Sequence, residues 1–397
     1  MKLSDSWRAT LAAGAVNLVL GANLPYLPVW MEEVAGMSGA EIAGAGTLAI
    51  LIRIITGPLS AGIAQDHGLR GTLATVMAIA LGGYVLLFPD SPRAVDFFLC
   101  VLVYSAMNLV GPLFEAVLVY GTRYGRPDYG EGRALASVAF VLANLAGGAV
   151  LGAFGADWVL VYLIGASVIA AIGPLLTKRG ARSVLARRSL FSTFTQAFAM
   201  YRQAGVFIYI FAAALIQASH AAYYSFASNV WIAQGIDGGH IGALWATGVA
   251  GEILLLAFSR QLLKNTTAYL LLWLGGFGAL VRWTAAGFVL PVEAVYGFQL
   301  LHAASFALTH IGTMRFLQAN LPDEQLPLAY AANGALVFGP AMAIAGLASG
   351  LAYDLLAPGG IEAQTRIYWL MVLVTLAGLG FTWLARPVTR PASADAA

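Results

Sequence analysis

The segment EIAGAGTLAILIRIITGPLS, residues 41–60, is a predominantly apolar run of twenty residues with one charge, Arg53, in its interior. About 20 such residues are needed for an α-helix to cross the hydrocarbon core of a bilayer. A related segment, HIGALWATGVAGEILLLAFS, occupies residues 240–259 and places Glu252 where the first has Arg53. The two align at an offset of 199 residues. This repeat predicts two related halves, each of which uses the segment as a membrane span.

The composition of the whole chain supports a membrane protein. Of 397 residues, 60% are hydrophobic and only 10% are charged, whereas soluble domains carry about 25% charged residues. A net charge of +2 gives no indication of a nucleic-acid partner. Cys100 is the single cysteine, and the five histidines lack metal-binding spacing. We therefore expect no disulfide, metal or cofactor, and we find no nucleotide-binding motif.

Apolar runs long enough to span a membrane number twelve. They cover approximately residues 9–30, 40–63, 71–88, 96–119, 133–156, 158–177, 204–232, 240–262, 267–289, 292–314, 328–355 and 366–386. The first run is longer than the 7–15 residues of a signal-peptide core and lacks a clear cleavage site, so we interpret it as the first span. A tight turn at Ala156-Asp157-Trp158 must separate the fifth span from the sixth.

Basic residues indicate the orientation of these spans. With both termini in the cytoplasm, seventeen of the 21 Lys and Arg residues lie in cytoplasmic loops or ends. Only Arg93 and Arg366 lie on the opposite side. Because cytoplasmic loops are enriched in Lys and Arg, we predict a multi-pass protein of the inner (cytoplasmic) membrane with both termini cytoplasmic.

The longest loop divides the chain in two. It runs from Thr177 to Gln203 and carries six basic residues between the sixth and seventh spans. We predict an N-terminal bundle (1–177), a basic cytoplasmic linker (178–203) and a C-terminal bundle with a short cytoplasmic tail (204–397). The predicted fold is an all-α integral membrane protein with twelve transmembrane helices in two pseudo-symmetric six-helix bundles.

Four charged residues lie well inside apolar runs: Glu115, Glu252, Arg53 and Arg282. A charge at the bilayer centre costs about 2.5–3.5 kcal/mol on insertion scales, so such residues pair with each other or face a water-filled cavity. A second repeat register, at an offset of 195, aligns Glu115 with His310. Ion pairs that only fix helix packing are the structural alternative. Four buried charges with histidines nearby favour a pathway for a substrate or a proton.

Polar residues on the first and seventh spans are further candidates for the binding site. Gln217, His220 and Tyr224 fall at i, i+3 and i+7, which is one helical face. Asn23 and Tyr26 form a looser set on the first span. Such a polar face either borders a cavity or makes interhelical hydrogen bonds.

The connection between the second and third spans, GPLSAGIAQDHGLR (57–70), is a candidate gating loop. Gly62, Asp66 and Arg70 are its characteristic residues. The alternative is an ordinary solvated turn.

Twelve spans in two halves resemble the major facilitator superfamily, and several motifs resemble its branch of lactose permease and the phenylpropionate permeases. QASHAAYYSFASNVW (217–231) is similar to the seventh span of the phenylpropionate permeases. DYGEGRALASVAF (128–140) is similar to their entry into the fifth span, and LHAASFALTH (301–310) to their tenth span. The resemblance implies a proton symporter and covers nearly the whole chain.

The resemblance to lactose permease implies roles for individual residues. Its fourth-span carboxylate, followed by an arginine eighteen residues later and an aromatic residue seven further, binds the sugar. The matching residues here are Glu115, Arg133 and Phe140. Its carboxylate on the eighth span, arginine on the ninth and histidine on the tenth are matched by Glu252, Arg282 and His302.

One departure from the lactose permease pattern concerns the proton. That family has a glutamate three residues after the tenth-span histidine, whereas this chain has Ser305. The motif A pattern is also altered, because Gly62 and Asp66 fit but the next glycine comes early, at Gly68. The coupled proton must therefore use another group, or coupling must fail.

Our first candidate for the proton-coupling group is Glu252, because burial penalises its charged form and the approach of Arg53 would restore it. His302 and His310 come second. They lie eight residues apart, just over two turns, so both can share one helical face. Neutral histidines that bond between helices are the alternative. Glu115 comes third, because Arg133 can hold it ionised.

We predict a secondary transporter for a small organic solute, coupled to protons in the way the resemblance implies. Arg53 and Arg282 could bind a carboxylate bidentately, and the closest motifs favour an aromatic acid such as a phenylpropionate. A sugar or nucleoside symporter remains open. From other classes, an intramembrane enzyme and a non-transporting receptor remain open too. The expected partners are the substrate, a proton and the bilayer, and we expect a monomer.

Overall fold

The protein is described by a computed structural model that covers residues 3–89, 91–178, 195–196, 199–202 and 205–385. Within these residues the secondary structure is helical and no strand is present. The first six spans are Asp5–Glu33, Gly39–His67, Leu69–Leu86, Arg93–Gly121, Tyr129–Phe154 and Asp157–Ile172. The sixth continues as a 3-10 turn, Gly173–Leu176.

The second half repeats this arrangement with more interruptions. The seventh span consists of Val206–Ala218 and Ala221–Ala233; the eighth and ninth are Gly238–Leu262 and Ala268–Ala286. The tenth contains Val292–His302, a π-helical segment Ala303–Leu308, and Thr309–Asn320. The eleventh contains Leu326–Ala332, a π-helical segment Asn333–Phe338, and Gly339–Leu356. The twelfth is Ile367–Leu384. Shorter helical pieces are Asp323–Gln325, Ala357–Gly359 and Gly360–Thr365.

Eleven of the described helices are long and apolar enough to cross a membrane. The remaining predicted span is the tenth, whose three helical segments follow one another without a break from Val292 to Asn320. The prediction of an all-α membrane fold is thus confirmed. The core of the predicted linker, 179–194, and the tail, 386–397, lie outside the described residues, so the proposed domain boundaries stay predictions.

The turns follow local sequence signals. Ser38 and Glu41 form a capping box at the start of the second span, and Asp128 and Glu131 form one at the start of the fifth. Gly155 adopts φ = +82° and ends the fifth span, which places the predicted tight turn one residue early.

The two halves contact each other most extensively along two helix pairs, the second span with the eleventh and the fifth with the eighth. We call the end of the bundle that holds Ser4 and Thr177 the linker end, and the opposite end the far end. At the far end, the carboxylate of Asp354 accepts hydrogen bonds from the backbone N–H groups of Gly39 (2.6 Å) and Ala40 (2.8 Å). These bonds fasten the last turn of the eleventh span to the start of the second.

A second far-end contact joins the first span to the seventh and eleventh. The Glu32 carboxylate accepts hydrogen bonds from Asn229 Nδ2 and from the Tyr353 hydroxyl, the latter at 2.9 Å. Asn229 also donates to the carbonyl of Pro28 at 3.0 Å. The far end is therefore closed by hydrogen bonds from both halves.

Candidate functional site

An ion pair joins the fourth and fifth spans. Arg133 Nε lies 2.7 Å from Glu115 Oε1, and the Tyr129 hydroxyl donates to Glu115 Oε2 at 2.9 Å. Arg133 also donates to Ser137 Oγ at 2.9 Å. The structure thus brings together the pair that the resemblance to lactose permease implies, and it adds Tyr129 as a second donor to the carboxylate.

The C-terminal half contains a buried guanidinium. Arg282, only 2% exposed, donates from Nη1 to His302 Nδ1 (2.9 Å) and from Nη2 to Gln299 Oε1 (2.6 Å). Its guanidinium carbon lies 4.3 Å from the ring centroid of Tyr223 and 4.5 Å from that of Trp283. Among the described residues, no carboxylate lies within ion-pair distance of Arg282.

This contact fixes the tautomer of His302. A guanidinium has only donors, so His302 Nδ1 must accept the hydrogen bond, and the ring proton sits on Nε2. His302 Nε2 faces Glu252 Oε2 at 3.7 Å. While Arg282 holds Nδ1, His302 is a neutral ring that presents an N–H toward Glu252.

Glu252 also lies close to the ion pair of the other half. The charge of Arg133 acts on the Glu252 carboxylate, because the eighth span packs against the fifth. The sequence predicts this role for Arg53, the repeat equivalent of Glu252. Arg53 instead lies against the eleventh span, because the second span packs there.

The polar face of the seventh span is buried against the tenth span. His220 Nδ1 donates to the Gln217 carbonyl at 3.1 Å, so His220 Nε2 accepts a hydrogen bond from Ser305 Oγ at 3.0 Å. Gln217 Nε2 donates to the Phe306 carbonyl at 3.1 Å, while its Oε1 is buried without a partner. For His220 and Gln217, interhelical hydrogen bonding is thus observed. Tyr224 is partly exposed, with its ring 5.9 Å from that of His220.

The two histidines of the tenth span share one face. The ring of Phe306 lies 5.3 Å from that of His302 and 6.3 Å from that of His310, and all three are nearly parallel. His302 is buried, whereas His310 is exposed. The three rings therefore form a stack that runs from the buried residues around Arg282 toward the linker end.

Three other predicted binding residues make packing contacts. Asn23 Oδ1 accepts a hydrogen bond from the Tyr84 hydroxyl at 2.6 Å, between the first and third spans. The hydroxyl of Tyr26 donates to the Asn144 carbonyl near the far-end contact. Phe140 is partly buried, and its backbone lies close to Gly21.

The candidate gating loop is a single-residue connection. Only Gly68, with φ = +91°, separates the second span from the third. Arg70 Nη1 donates to the Thr177 carbonyl at 3.0 Å, whereas a side chain at Gly62 would meet open space. Asp66 lies in the last turn of the second span. Arg70 thus ties the start of the third span to the end of the sixth.

Sequence reasoning missed the residues that support Arg282. Gln299 accepts from Arg282 and donates to the Tyr223 hydroxyl at 3.2 Å. Its position three residues before His302 places both on one helical face, which is a usable signal. Across the described chain, no group of three or more His, Cys, Asp and Glu side chains could hold a metal ion.

Comparison with solved structures shows the fold. A mutant of the nucleoside transporter NupG superposes with a TM-score of 0.84 at 14% identity, over 97% of this chain and 100% of that one. A bacterial homologue of the human lysosomal transporter Spinster, inward-facing and unoccupied, gives 0.70 at 14% identity, over 96% of each chain. Both are transporters with the same helical arrangement.

Comparison of sequences gives a nearer relative and the family. A protein described as a probable 3-phenylpropionic acid transporter of Escherichia coli (strain K12) is 27% identical over 364 residues, which is 90% of this chain and 91% of that one. The MFS_1 like family matches residues 18–359. The chain belongs to this family and is a multi-pass membrane transporter of the major facilitator type.

Proposed function

We propose that the protein is a proton-coupled transporter of an aromatic carboxylate. The strongest support is the position of two groups of charged and polar residues, one from each half, beside the contact between the fifth and eighth spans. Glu115 and Arg133 come from one half, and Glu252, His302 and Arg282 come from the other. The distance between Arg133 and Glu252 changes when the halves move relative to each other. The movement that carries the substrate across the membrane therefore also changes the electrostatic environment of the Glu252 carboxylate.

Glu252 is the acid in this arrangement that is suited to carry the proton. Glu115 is held by Arg133 and by the Tyr129 hydroxyl. Glu252, by contrast, is approached by His302 at 3.7 Å and interacts with the charge of Arg133 and with Tyr224. When the halves separate, Glu252 moves away from the charge of Arg133, so the movement changes the balance between its charged and neutral forms.

The aromatic acid is proposed on two grounds. The relative that shares 27% of the sequence is described as a probable 3-phenylpropionic acid transporter. Aromatic side chains also surround the group from the C-terminal half, namely Tyr223, Tyr224 and Phe306 beside the histidines. Offset and edge-on ring contacts of this kind contribute about 0.5–1.5 kcal/mol beyond area burial.

A sugar or nucleoside is the second candidate substrate. It is favoured by the Glu115–Arg133 ion pair, since both partners keep part of their side chains exposed and can bind hydroxyl groups. Phe140, seven residues beyond Arg133, would supply a stacking surface. Uptake measurements with aromatic acids, glycosides and nucleosides in parallel distinguish the two candidates. Recovery of the solute unmodified inside the vesicle separates a transporter from an intramembrane enzyme or a receptor.

We also propose that the linker end faces the cytoplasm, because most Lys and Arg residues lie there, and that the protein sits in an inner membrane. The far end then faces the outside.

The proton role is tested with Glu252→Gln in reconstituted vesicles. This variant should still exchange labelled for unlabelled substrate, because the substrate contacts remain. It should lose accumulation driven by a pH gradient, because no proton is bound. Glu293→Gln, at an exposed acid in the first turn of the tenth span, is the matched control and should behave as wild type. Full gradient-driven accumulation by Glu252→Gln would exclude Glu252 as the proton carrier.

A further inference from the structure

Three arginines of the spans, Arg53, Arg133 and Arg282, differ in what they bind. Arg133 is paired with Glu115, and Arg282 is bonded to His302 and Gln299. Arg53 is partly exposed and has no hydrogen-bond acceptor or carboxylate within bonding distance among the described residues. It is therefore the guanidinium whose five donors remain available.

Arg53 sits where the two halves meet. Thr47, on the same span, donates to the Ala343 carbonyl of the eleventh span at 3.1 Å and fixes the register of the two helices. At Arg53, Nη2 lies 3.3 Å from the position that a Cβ atom of Gly334 would occupy. The guanidinium thus reaches across to the eleventh span at the point where that span lacks a side chain.

The facing segment of the eleventh span is π-helical and carries a second free polar group. Asn333 begins the π segment Asn333–Phe338 and is partly exposed. In the described part of the chain its side-chain amide has no hydrogen-bond partner within bonding distance. Single π turns inside α-helices are often found at functional sites. Asn333 is the sequence neighbour of Gly334, which Arg53 Nη2 approaches, so an amide of the eleventh span accompanies the guanidinium of the second.

An unpaired guanidinium in a membrane span is costly, and such residues pair or contact a substrate. A carboxylate is the matching anion, because it accepts two parallel N–H bonds from an arginine. Arg282 cannot serve this purpose, since it is buried, in contact with the rings of Tyr223 and Trp283, and bonded at Nη1 and Nη2. We propose that Arg53, assisted by Asn333, binds the carboxylate of the substrate across the interface of the second and eleventh spans.

This proposal rests on the proposed transport of an aromatic acid and adds a consequence for the cycle. The anion bridges a residue of one half and a residue of the other, so it is held by both only when the two spans are in contact. A neutral analogue of the substrate lacks that bridge. Recognition of the carboxylate and closure of these two spans are therefore the same event.

The test compares 3-phenylpropionate with its neutral amide, 3-phenylpropanamide, in binding to purified protein. Wild type should bind the acid more tightly than the amide. Arg53→Gln should weaken binding of the acid by about tenfold or more, the range for hydrogen bonds to charged groups, and leave the amide unchanged. Arg53→Lys keeps the charge but not the fork, so its loss should be intermediate. Asn333→Ala should produce a smaller loss, again for the acid alone.

Heat stability without ligand separates this role from a structural one. Arg53→Gln removes an unpaired charge and should melt at the same temperature as wild type or higher. Arg282→Gln is the matched control, and it should melt lower because it leaves His302 and Gln299 without their donor.

Two results would overturn the assignment, and they are distinguishable. If Arg53→Gln and Arg53→Lys both keep the wild-type preference for acid over amide, Arg53 is not the anion site although the transporter proposal stands. If wild type binds neither compound, the proposed substrate class is wrong and this assignment falls with it.

Discussion

Closure of the far end depends on a backbone contact between the fifth and eighth spans, which Gly148→Ala should weaken. A Cβ atom at Gly148 would lie 2.8 Å from the Cα atom of Gly242, and closer still to the Gly238 carbonyl oxygen. Ordinary contact begins at 3.4 Å. Because both obstacles are backbone atoms, the spans themselves must separate.

The size of the effect follows from the cost of overpacking. Inserting a methyl group into a well-packed contact costs about 1–3 kcal/mol. The clash exists only while the far end is closed, so the whole cost acts on the equilibrium between closed and open. The ratio of closed to open molecules should fall about 5- to 150-fold.

Spin labels measure that ratio directly. Cysteines placed at Asp157 and Glu362, two exposed far-end positions in opposite halves, report the distance across the opening. Background labelling is low because Cys100 is buried. Gly152→Ala, one turn further along the fifth span, is the matched control, because its added Cβ would meet its nearest neighbour at 3.5 Å. Equal distance distributions in the Gly148 and Gly152 variants would show that this contact does not control closure.

Further predictions concern the site and the topology. Glu115→Gln and Arg133→Gln should each abolish substrate binding in ligand-titration measurements. Both should leave a purifiable protein, because a half-exposed ion pair contributes at most about 1 kcal/mol to stability; normal affinity in either variant would refute a direct role. Gln299→Ala should lower the unfolding free energy by about 1.5–3 kcal/mol in denaturation experiments, because it leaves the buried Arg282 guanidinium short of an acceptor; unchanged stability would contradict this bond. The segment from Thr177 to Gln203 should be cut by protease only from the cytoplasmic side, and cleavage in intact, right-side-out cells would reverse the proposed orientation.

Much of the fold was predictable because span length and hydrophobicity are local properties of the sequence. The association of Glu115 with Arg133 was implied by the resemblance to lactose permease, and the two residues lie on consecutive spans. The shared face of His302 and His310 follows from their spacing of eight residues. Each of these relations involves one helix or two consecutive helices.

The partners of distant spans were not predictable in the same way. The repeat relates Arg53 to Glu252 as equivalent positions, but equivalence under a two-fold relation does not imply contact. The second span packs on the eleventh and the fifth on the eighth, so each residue faces the opposite half. His220 and Ser305 are likewise joined over 85 residues of sequence. No local periodicity carries information about that contact.

We propose that the charged residues of the two halves couple the movement of a proton to the transport of an aromatic acid. The most direct measurement is uptake of labelled 3-phenylpropionate into vesicles that contain only this protein, with the external pH lower than the internal pH. Labelled acid should accumulate above its external concentration, and this accumulation should collapse when a protonophore is added and be absent in Glu252→Gln vesicles. Uptake that only equilibrates, with no response to the pH gradient in wild type, would contradict the proposal.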